Sequence, residues 1–468
     1  MKVIVNSNLI LMDTPSNVLG VIKKELTMDN PEYLKRVILR LPIWNIEKKL
    51  QLYEEIDSKL ILPRGYCFRL GQLINELKVE CTWDIQKTKF KPIKYDSVIK
   101  LRDYQNRALM SLKQFSSGVI IMPCGSGKTE TGLEIIANLG QPTLWLTHTK
   151  DLLNQSKDRA ISRLNLKRGQ HGIIGAGSYS IGTHITFATV QSLANRDLLE
   201  IKDSFGCVVI DEAHHCFRNP NKVGQFQKVI SQLSAYYRIG LTASEYRSDG
   251  LIETMFHVIG PKMYEVDQDT LKDNNTVITP TVEYIDTNYL YESFDDRFNF
   301  SKMLKDMAAD EERNKLIIRT IKDKGEGNYC LVLGDSLSHL EHLSKEIGGS
   351  FICGKTPKKQ REKILEDMKQ GKIGCLFATY QLAKEGLDIP RLNRLFLITP
   401  KKDKVIIQQS VGRISRVFEG KTDAVVFDFF DRNVGVCVSQ ARKRSKEVYE
   451  KLGCTIINNP RKRKRKVS

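Results

Sequence analysis

A glycine-rich stretch, Met122-Pro-Cys-Gly-Ser-Gly-Lys-Thr129, has the residue types and spacing of a loop that holds a polyphosphate. Its glycines would let the backbone approach phosphate oxygens, and the start of the following helix would add partial positive charge. Lys128 would reach the β- and γ-phosphates, and the Thr129 hydroxyl would hold Mg²⁺. The residues expected to bind ATP here are Pro123, Cys124, Gly125, Ser126, Gly127, Lys128 and Thr129.

The phosphate-loop pattern is incomplete, because the general form has glycine where this chain has Met122. A glycine turn without a ligand is therefore the alternative. The flanks favour the loop: an apolar run over 118–121 predicts a buried strand, and apolar residues at helical spacing over 128–139 predict a helix.

Two adjacent carboxylates, Asp211 and Glu212, follow the apolar run Cys207-Val-Val-Ile. In a parallel sheet that end of a strand faces the ligand crevice. Asp211 is placed to hold Mg²⁺, and Glu212 to orient and deprotonate an attacking water. The alternative is an acidic pair at a helix N-terminus. A metal site at His214, His215 and Cys216 is disfavoured, since no second spaced ligand pair accompanies them.

A third motif, Gln409-Ser-Val-Gly-Arg-Ile-Ser-Arg416, carries two arginines three residues apart. On a helix they would share one face. A guanidinium matches the charge that spreads over γ-phosphate oxygens during phosphoryl transfer. Without the other motifs, two such arginines would be read as a solvated helix face.

The elements that must position these residues alternate between apolar strands and amphipathic helices from Ile99 onward, which indicates α/β domains with parallel sheets. A first set of strands is expected near 118–122, 143–147, 185–189, 206–210 and 238–242. A second set is expected near 329–333, 374–378, 395–398 and 424–428. The expected domains are a small α+β domain (1–95), an ATP-binding domain (96–266), a linker (267–285), a second α/β domain (286–440) and a basic tail (441–468).

The composition is that of an ordinary globular protein, with 41% hydrophobic and 27% charged residues. No apolar run is long enough for a membrane span, and the start does not resemble a secretory signal. Ten cysteines without a C-x-x-C pair favour free thiols in a reducing compartment. A cytoplasmic location in a bacterial or phage-infected cell is expected, or the nucleus in a eukaryotic host.

The net charge of +18 predicts a polyanionic partner, and half of the excess lies in residues 441–468, with eleven Lys/Arg against two Asp/Glu. Six consecutive cations at 461–466 should be disordered and bind phosphates without specificity, or serve as a nuclear localisation signal. In residues 1–95, aromatic residues stand among arginines. They could stack nucleic-acid bases or fill a core: Tyr33, Trp44, Tyr66, Phe68 and Trp83, with Arg36, Arg40, Arg64 and Arg69.

Together the motifs over about residues 100–430 resemble those of superfamily 2 helicases, in matching order and rough spacing. The phosphate loop is similar to motif I, Asp211-Glu-Ala-His214 to motif II in its DEAH spelling, and 409–416 to motif VI. The other resemblances are Arg102-Asp-Tyr-Gln105 to the adenine-sensing glutamine motif, Leu146–Lys150 to motif Ia, Thr189–Ser192 to the next strand-contact motif, Gly240–Ser244 to motif III, Leu331–Asp335 to motif IV and Gln381–Asp388 to motif V.

Within the superfamily the chain looks most like the group of phage UvsW, XPB and type III restriction helicase subunits. The resemblance implies two RecA-like domains that bind ATP and Mg²⁺ between them and move on nucleic acid, with DNA favoured over RNA. It adds Gln105 as an adenine contact and assigns catalysis to Asp211, Glu212, His214, Gln409, Arg413 and Arg416. Motif III departs from the usual Thr-Ala-Thr-Pro, since Thr242-Ala-Ser-Glu245 lacks the proline.

Two other functions stay open on the sequence alone. One is a motor subunit of a restriction or defence complex, with partners there or in replication, repair or recombination. The other is a nucleic-acid-binding scaffold that does not hydrolyse ATP, which the presence of Lys128, Thr129, Asp211, Glu212 and Arg413 disfavours.

Overall fold

The computed structural model describes residues 1–123, 125–175, 177–216, 224–243, 250–267, 270–271, 277–292, 298–384 and 387–461. Its contacts divide the chain into two units. The first comprises residues 1–123 and 127–266, and the second comprises residues 124–126 and 267–468. Cys124, residues 244–249 of the motif III region, residues 385–386 of motif V and the cationic run from 462 lie outside the described residues.

The first unit contains an eight-stranded sheet that is parallel except for one short edge strand. In sheet order its strands are Ser178–Tyr179, His171–Gly175, Ile185–Thr189, Thr143–Thr147, Cys207–Asp211, Tyr237–Thr242, Ser117–Ile121 and Lys262–Glu265. Its helices are Asp103–Met110, Lys128–Leu139, Lys150–Arg163, Val190–Ala194, Gln225–Ile230 and Glu253–Ile259, with 3₁₀ turns at Ser111–Lys113 and Ala213–His215.

Four central strands of this first sheet are rich in apolar residues and buried along nearly their whole length, because helices cover both faces. The strand Thr143–Thr147, for example, buries every residue, including the ring of Trp145. All five strands expected from the sequence are present, displaced by at most one residue at either end. The mixed α/β architecture with parallel sheets is confirmed.

Residues 1–85 form a smaller five-stranded sheet with helices. Its strands, in sheet order, are Glu54–Ile56, Lys59–Pro63, Asn8–Met12, Lys2–Val5 and Thr82–Ile85; Thr27–Asp29 pairs separately with Lys49–Gln51. Its helices are Ser16–Glu25, Pro31–Ile38 and Cys67–Glu76, with a 3₁₀ turn at Arg64–Tyr66.

Two buried arginines join this N-terminal sheet to the first sheet. Arg64 donates to the carbonyl oxygens of Asn6 at 3.2 Å and Ala235 at 2.6 Å. Arg238 donates to the carbonyl of Ser7 at 3.1 Å and to that of Val258 at 2.9 Å. Burial lowers the pKa of Arg64 to about 10. The Arg64 side chain therefore links the two sheets, and it is too buried to contact a nucleic acid.

The aromatic and arginine side chains of residues 1–95 are not a single basic surface. Tyr66 is buried and donates to Glu25 Oε2 at 2.6 Å, and Arg69 pairs with the same Glu25 and with Glu76. Trp44, in contrast, is 87% exposed. It follows the helix Pro31–Ile38, which has no buried residue and exposes Leu34, Val37 and Ile38.

The second unit contains a seven-stranded sheet in which every described pairing is parallel. Its strands, in sheet order, are Ser350–Ile352, Cys375–Thr379, Cys330–Gly334, Arg394–Leu397, Val425–Asp431, Thr281–Thr287 and Thr455–Ile457. Its helices are Phe300–Ala309, Glu311–Gly325, Leu337–Ile347, Lys358–Lys369, Tyr380–Lys384, Lys404–Ile414 and Gly435–Arg444, followed by a π-helical turn at Ser445–Tyr449.

Two strands of this second sheet fall where the sequence suggests a linker and a tail. Thr281–Thr287 begins inside the expected linker, 267–285, and it pairs with Val425–Asp431 along seven residues. Thr455–Ile457 lies inside the expected tail and forms the edge of the sheet. Arg444, also in that range, is buried because it pairs with Asp428 at 2.6 Å. Folded structure therefore continues to Ile457.

A second buried ion pair ties the helix Glu311–Gly325 to the sheet: Arg313 Nε lies 2.7 Å from Asp431 Oδ1, and both side chains are fully buried. Replacing Asp431 with alanine should destabilise the second unit by about 3–5 kcal/mol, because it leaves a buried guanidinium without its counter-charge. Replacing Asp423 with alanine should lower the free energy of unfolding by only about 0–1 kcal/mol, because half of its side chain is exposed in the pair with Arg394.

Urea unfolding can separate the two units, because all three tryptophans, at 44, 83 and 145, lie in the first unit. In the Asp431→Ala variant, the unfolding transition followed by circular dichroism should gain a component at lower urea concentration. The midpoint followed by tryptophan fluorescence should not change. A single unchanged transition in both signals would contradict this role for the pair.

Among the described residues, no helix combines the length and the apolar character that crossing a bilayer requires.

Candidate functional site

The phosphate loop connects the buried strand Ser117–Ile121 to the helix Lys128–Leu139. Gly125 and Gly127 have φ values of 86° and 81°, in the left-handed region that favours glycine. Pro123 and Ser126 are buried, whereas Lys128 and Thr129 begin the helix and remain partly accessible. The expected strand, turn and helix start are thus all present.

Gln105 lies against this loop. Its Oε1 accepts from the backbone N–H of Arg102 at 2.9 Å, which caps the helix Asp103–Met110, and its Nε2 is 3.5 Å from the Gly127 carbonyl oxygen. A Cβ added to Gly127 would come within 2.5 Å of that Nε2, so glycine at position 127 lets the loop pack this closely against the Gln105 side chain. Contact of Gln105 with adenine stays a prediction.

Asp211 ends the strand Cys207–Asp211 and is buried. Its Oδ1 accepts from the Glu212 N–H at 3.0 Å and its Oδ2 from the Ser156 hydroxyl at 3.4 Å. Glu212 has φ 53°, which is uncommon for a residue with a side chain. Strained backbone of this kind is frequent at functional sites, where it aims a side chain that a regular strand would not.

The two carboxylates titrate differently although they are neighbours. Burial, reinforced by repulsion from Glu212, raises the pKa of Asp211 to about 6. Burial also acts to raise the pKa of Glu212, but attraction to Lys128 and the hydrogen bond and charge of His214 outweigh it and hold that pKa below its usual value. Glu212 is therefore the group that keeps the negative charge, as a base requires.

His214 connects these carboxylates to the next strand. Its Nδ1 lies 3.1 Å from the Thr242 hydroxyl and 3.3 Å from Glu212 Oε2. Thr242 ends the strand Tyr237–Thr242, which is the neighbour of Cys207–Asp211 in the first sheet. Motif II and the start of motif III are thus in direct contact.

The motif VI residues lie in the second unit. Gln409 is buried in the helix Lys404–Ile414, and its Oε1 has no hydrogen-bond partner among the described residues. Arg413 lies in the last turn of that helix, and its Nη1 donates to the Leu387 carbonyl at 3.1 Å.

Arg416 differs from the sequence expectation, because the helix ends at Ile414 and the two arginines do not share a helix face. Arg416 instead forms a backbone bridge with Val277 and an ion pair with Asp388. Carbonyls at the end of a helix lack intrahelical partners, and here those of Ile414 and Arg416 accept from Lys421 Nζ at 2.6 and 2.8 Å, which stabilises the helix end. Both arginines nevertheless contact the same segment, Leu387–Asp388.

Sequence reasoning missed Ser156 and Lys421. Ser156 is a buried hydroxyl on the helix Lys150–Arg163 that donates to Asp211, and no motif marks it. Lys421 also binds the carbonyls of Pro390 and Leu392 and thereby joins the motif V segment to the end of motif VI. Burial lowers its pKa to about 7.

The residues of the first unit fit ATP and Mg²⁺. Gly125 and Gly127, whose φ values lie in the left-handed region just before the helix starts, leave backbone N–H groups available to bind phosphate oxygens. The Lys128 ammonium acts on the pKa of both Asp211 and Glu212, so all three charges are close together. Thr129 and Asp211 offer the oxygen ligands that Mg²⁺ prefers.

Comparison with known proteins assigns both units. Residues 98–247 match the family described as type III restriction enzyme, res subunit, and residues 312–418 match the helicase conserved C-terminal domain.

Individual relatives agree with this assignment. A mimivirus protein (Acanthamoeba polyphaga mimivirus), provisionally named ATP-dependent RNA helicase L396, is 28% identical over 94% of this chain and 83% of its own length. The DNA 3'-5' helicase XPB of Mycobacterium tuberculosis is 27% identical over 69% of this chain and 59% of its own length. The type ISP restriction-modification enzyme LlaBIII shares the fold, with a TM-score of 0.53 at 18% identity over 75% of this chain and 30% of that enzyme.

The matched regions contain seven of the eight strands of the first sheet, four of the seven strands of the second sheet, and the motifs from the phosphate loop to Arg416. The chain therefore belongs to the superfamily 2 helicases, enzymes that hydrolyse ATP while acting on nucleic acid.

Proposed function

We propose that this helicase acts on DNA, using ATP hydrolysis to translocate along it and to unwind or remodel branched or duplex DNA. Support comes from the mycobacterial relative, which is named a DNA helicase, and from LlaBIII, whose solved structure is a complex with DNA. The DEAH spelling at 211–214 and the two arginines of motif VI also favour DNA over the DEAD-box RNA helicases.

In the proposed mechanism, Lys128 and the backbone of the phosphate loop hold the β- and γ-phosphates. Thr129 and Asp211 would hold Mg²⁺, which would neutralise charge on the phosphate oxygens. Glu212, kept ionised beside Lys128, orients the attacking water and accepts its proton. His214, bonded to Thr242, keeps that carboxylate in place.

We assign to motif VI the stabilisation of the negative charge that develops on the transferred phosphoryl group. Arg413 is the residue proposed to stabilise it, since a guanidinium presents several donors in a plane that matches phosphate oxygens. Gln409 is proposed to act beside it, because its buried Oε1 lacks a partner among the described residues. Arg416 is the third member of the proposed set.

The observation that carries the proposal is that the phosphate loop, the pair Asp211 and Glu212, and the strand-contact motifs all follow parallel strands of the first sheet, which places them at its carboxyl edge. It is tested by ATPase and strand-separation assays on single strands, forks, four-way junctions and RNA duplexes. DNA should stimulate hydrolysis and be separated. Absence of stimulation by every nucleic acid would reject the proposal.

An RNA substrate is the second candidate, because the mimivirus relative is named an RNA helicase. Preferential stimulation and separation of RNA duplexes in the same assay would select it. A role as the motor of a restriction complex is supported by the family of residues 98–247, and co-purification with a methyltransferase or nuclease chain would favour it.

We also propose that the chain is divided into functional segments with these boundaries: 1–95, 96–266, 267–285, 286–440 and 441–468.

For residues 1–95 we propose an accessory contact with nucleic acid. The segment 35–49 carries Lys35, Arg40 and Lys48 beside the exposed indole of Trp44. Cations bind phosphates and an exposed aromatic ring stacks on bases. Tyr66, Arg64 and Arg69 are excluded from this contact by their burial and pairing.

The cationic run is proposed to bind phosphates without specificity, with nuclear localisation as the alternative in a nucleated host. Deleting residues 462–468 removes five Lys/Arg. The slope of log K against log salt for DNA binding should then become shallower by up to about 4, because each neutralised phosphate contributes about 0.9. Fluorescence anisotropy between low and moderate salt measures the slope. A slope unchanged by the deletion would remove the tail from the DNA interface.

A further inference from the structure

Three histidine rings stand in a row at the carboxyl edge of the first sheet. The rings of His148 and His215 have their centroids 4.1 Å apart, and those of His215 and His214 are 4.3 Å apart. The interplanar angles are 40° and 38°. Only His214 belongs to the hydrolytic motif; the other two rings have no role in the proposed hydrolysis.

The order of the strands explains this row. Cys207–Asp211 pairs on one side with Thr143–Thr147 and on the other with Tyr237–Thr242. His148 directly follows the first neighbour, and His215 closes the 3₁₀ turn after Asp211. The loops after these parallel strands meet at one edge, which brings the two rings into contact.

Each end of the row is bonded to a different part of the enzyme. At the hydrolytic end, His214 contacts Glu212 at 3.3 Å and Thr242 at 3.1 Å. At the other end, the carbonyl oxygen of His148 accepts from Gln191 Nε2 at 2.8 Å. Gln191 lies in the helix Val190–Ala194, within the second strand-contact motif.

The row therefore connects the loops after residues 147 and 189 to the general base. The rings are in tilted contact, with centroids 4.1 and 4.3 Å apart, and in a close-packed interior the displacement of one ring shifts its neighbour.

We propose that His215, whose ring lies in contact with those of His148 and His214, is a positioning residue that transmits nucleic-acid contact at the strand-contact loops to Glu212. The proposal rests on the proposed function, because it presupposes stimulation of hydrolysis by nucleic acid. We expect the same row to couple binding, so that nucleotide state and nucleic acid alter each other's affinity by the same factor.

The test compares His215→Ala, His215→Phe and His171→Ala in the full chain. His215→Ala removes the middle ring, His215→Phe keeps an aromatic ring without its nitrogens, and His171 lies elsewhere in the first sheet as a matched histidine control. His215→Ala should retain the ATPase rate without nucleic acid but lose at least about 10-fold of its stimulation by single-stranded DNA, within the range typical of coupling between sites. His215→Phe should recover most of it, and His171→Ala should equal the parent.

A second measurement separates coupling from folding. The ratio of DNA affinities with ADP–beryllium fluoride and with ADP should fall towards one in His215→Ala, while the affinity with ADP stays unchanged. Equal loss of the stimulated and unstimulated rates, or full stimulation in His215→Ala, overturns the proposal. A parent enzyme that no nucleic acid stimulates would instead reject the proposed function itself.

Discussion

Replacing Glu212 with glutamine is expected to lower kcat for ATP hydrolysis by about 10²- to 10⁴-fold, the range that a positioned general base supplies. Glutamine has the same shape, but its amide cannot accept a proton from the attacking water. ATP affinity should be preserved, because the phosphate loop and Asp211 are untouched. Steady-state hydrolysis with saturating single-stranded DNA, together with equilibrium binding of a fluorescent ATP analogue, measures both quantities.

Glu130 provides a matched control for this substitution. It lies in the first turn of the helix that follows the phosphate loop, and its Oε1 is 3.3 Å from Arg163 Nε. Glu130→Gln should hydrolyse ATP at close to the parental rate. If Glu212→Gln hydrolyses ATP as fast as the parent, the base is another group and Glu212 does not activate the water.

How far the sequence predicts the fold depends on whether a strand is apolar throughout. Thr143–Thr147 and Cys207–Asp211 each contain a continuous apolar run, and the sequence locates them within one residue. His171–Gly175 has only two large apolar residues between its glycines. Thr281–Thr287 alternates polar and apolar residues over its first four positions, typical of a half-buried strand, and it lies between two others in its sheet. Such strands are defined by their pairing partners, which local patterns do not reveal.

The candidate site likewise contains residues that the sequence predicts and residues that it does not. The phosphate loop and the pair Asp211 and Glu212 could be predicted because glycines and carboxylates stand at fixed positions next to apolar strands. The contact of Gln105 with Gly127 and the bond from Ser156 to Asp211 depend on tertiary packing. Just beyond the end of the motif VI helix, the Arg416 carbonyl accepts from Lys421, five residues further along the chain. No spacing rule contains that information.

Replacing Arg413 with alanine is expected to reduce DNA-stimulated hydrolysis by about 10³- to 10⁵-fold, the range for an arginine that stabilises phosphoryl-transfer charge. Arg413→Lys should recover little, since an ammonium does not reproduce the planar arrangement of guanidinium donors. ATP binding should change far less than kcat. A loss below about 10-fold in kcat, far under the range for such an arginine, would remove Arg413 from the catalytic set.

Arg416 needs a different experiment because it is paired with Asp388. If Arg416 acts on phosphate, Asp388→Ala should leave hydrolysis largely intact, whereas Arg416→Ala abolishes it. If its function is to hold the motif V segment, the two single variants and the double variant should be impaired to the same degree, because each breaks the one ion pair. Hydrolysis rates of the four proteins, measured with saturating DNA and ATP, therefore decide whether one arginine or two contribute to the chemical step.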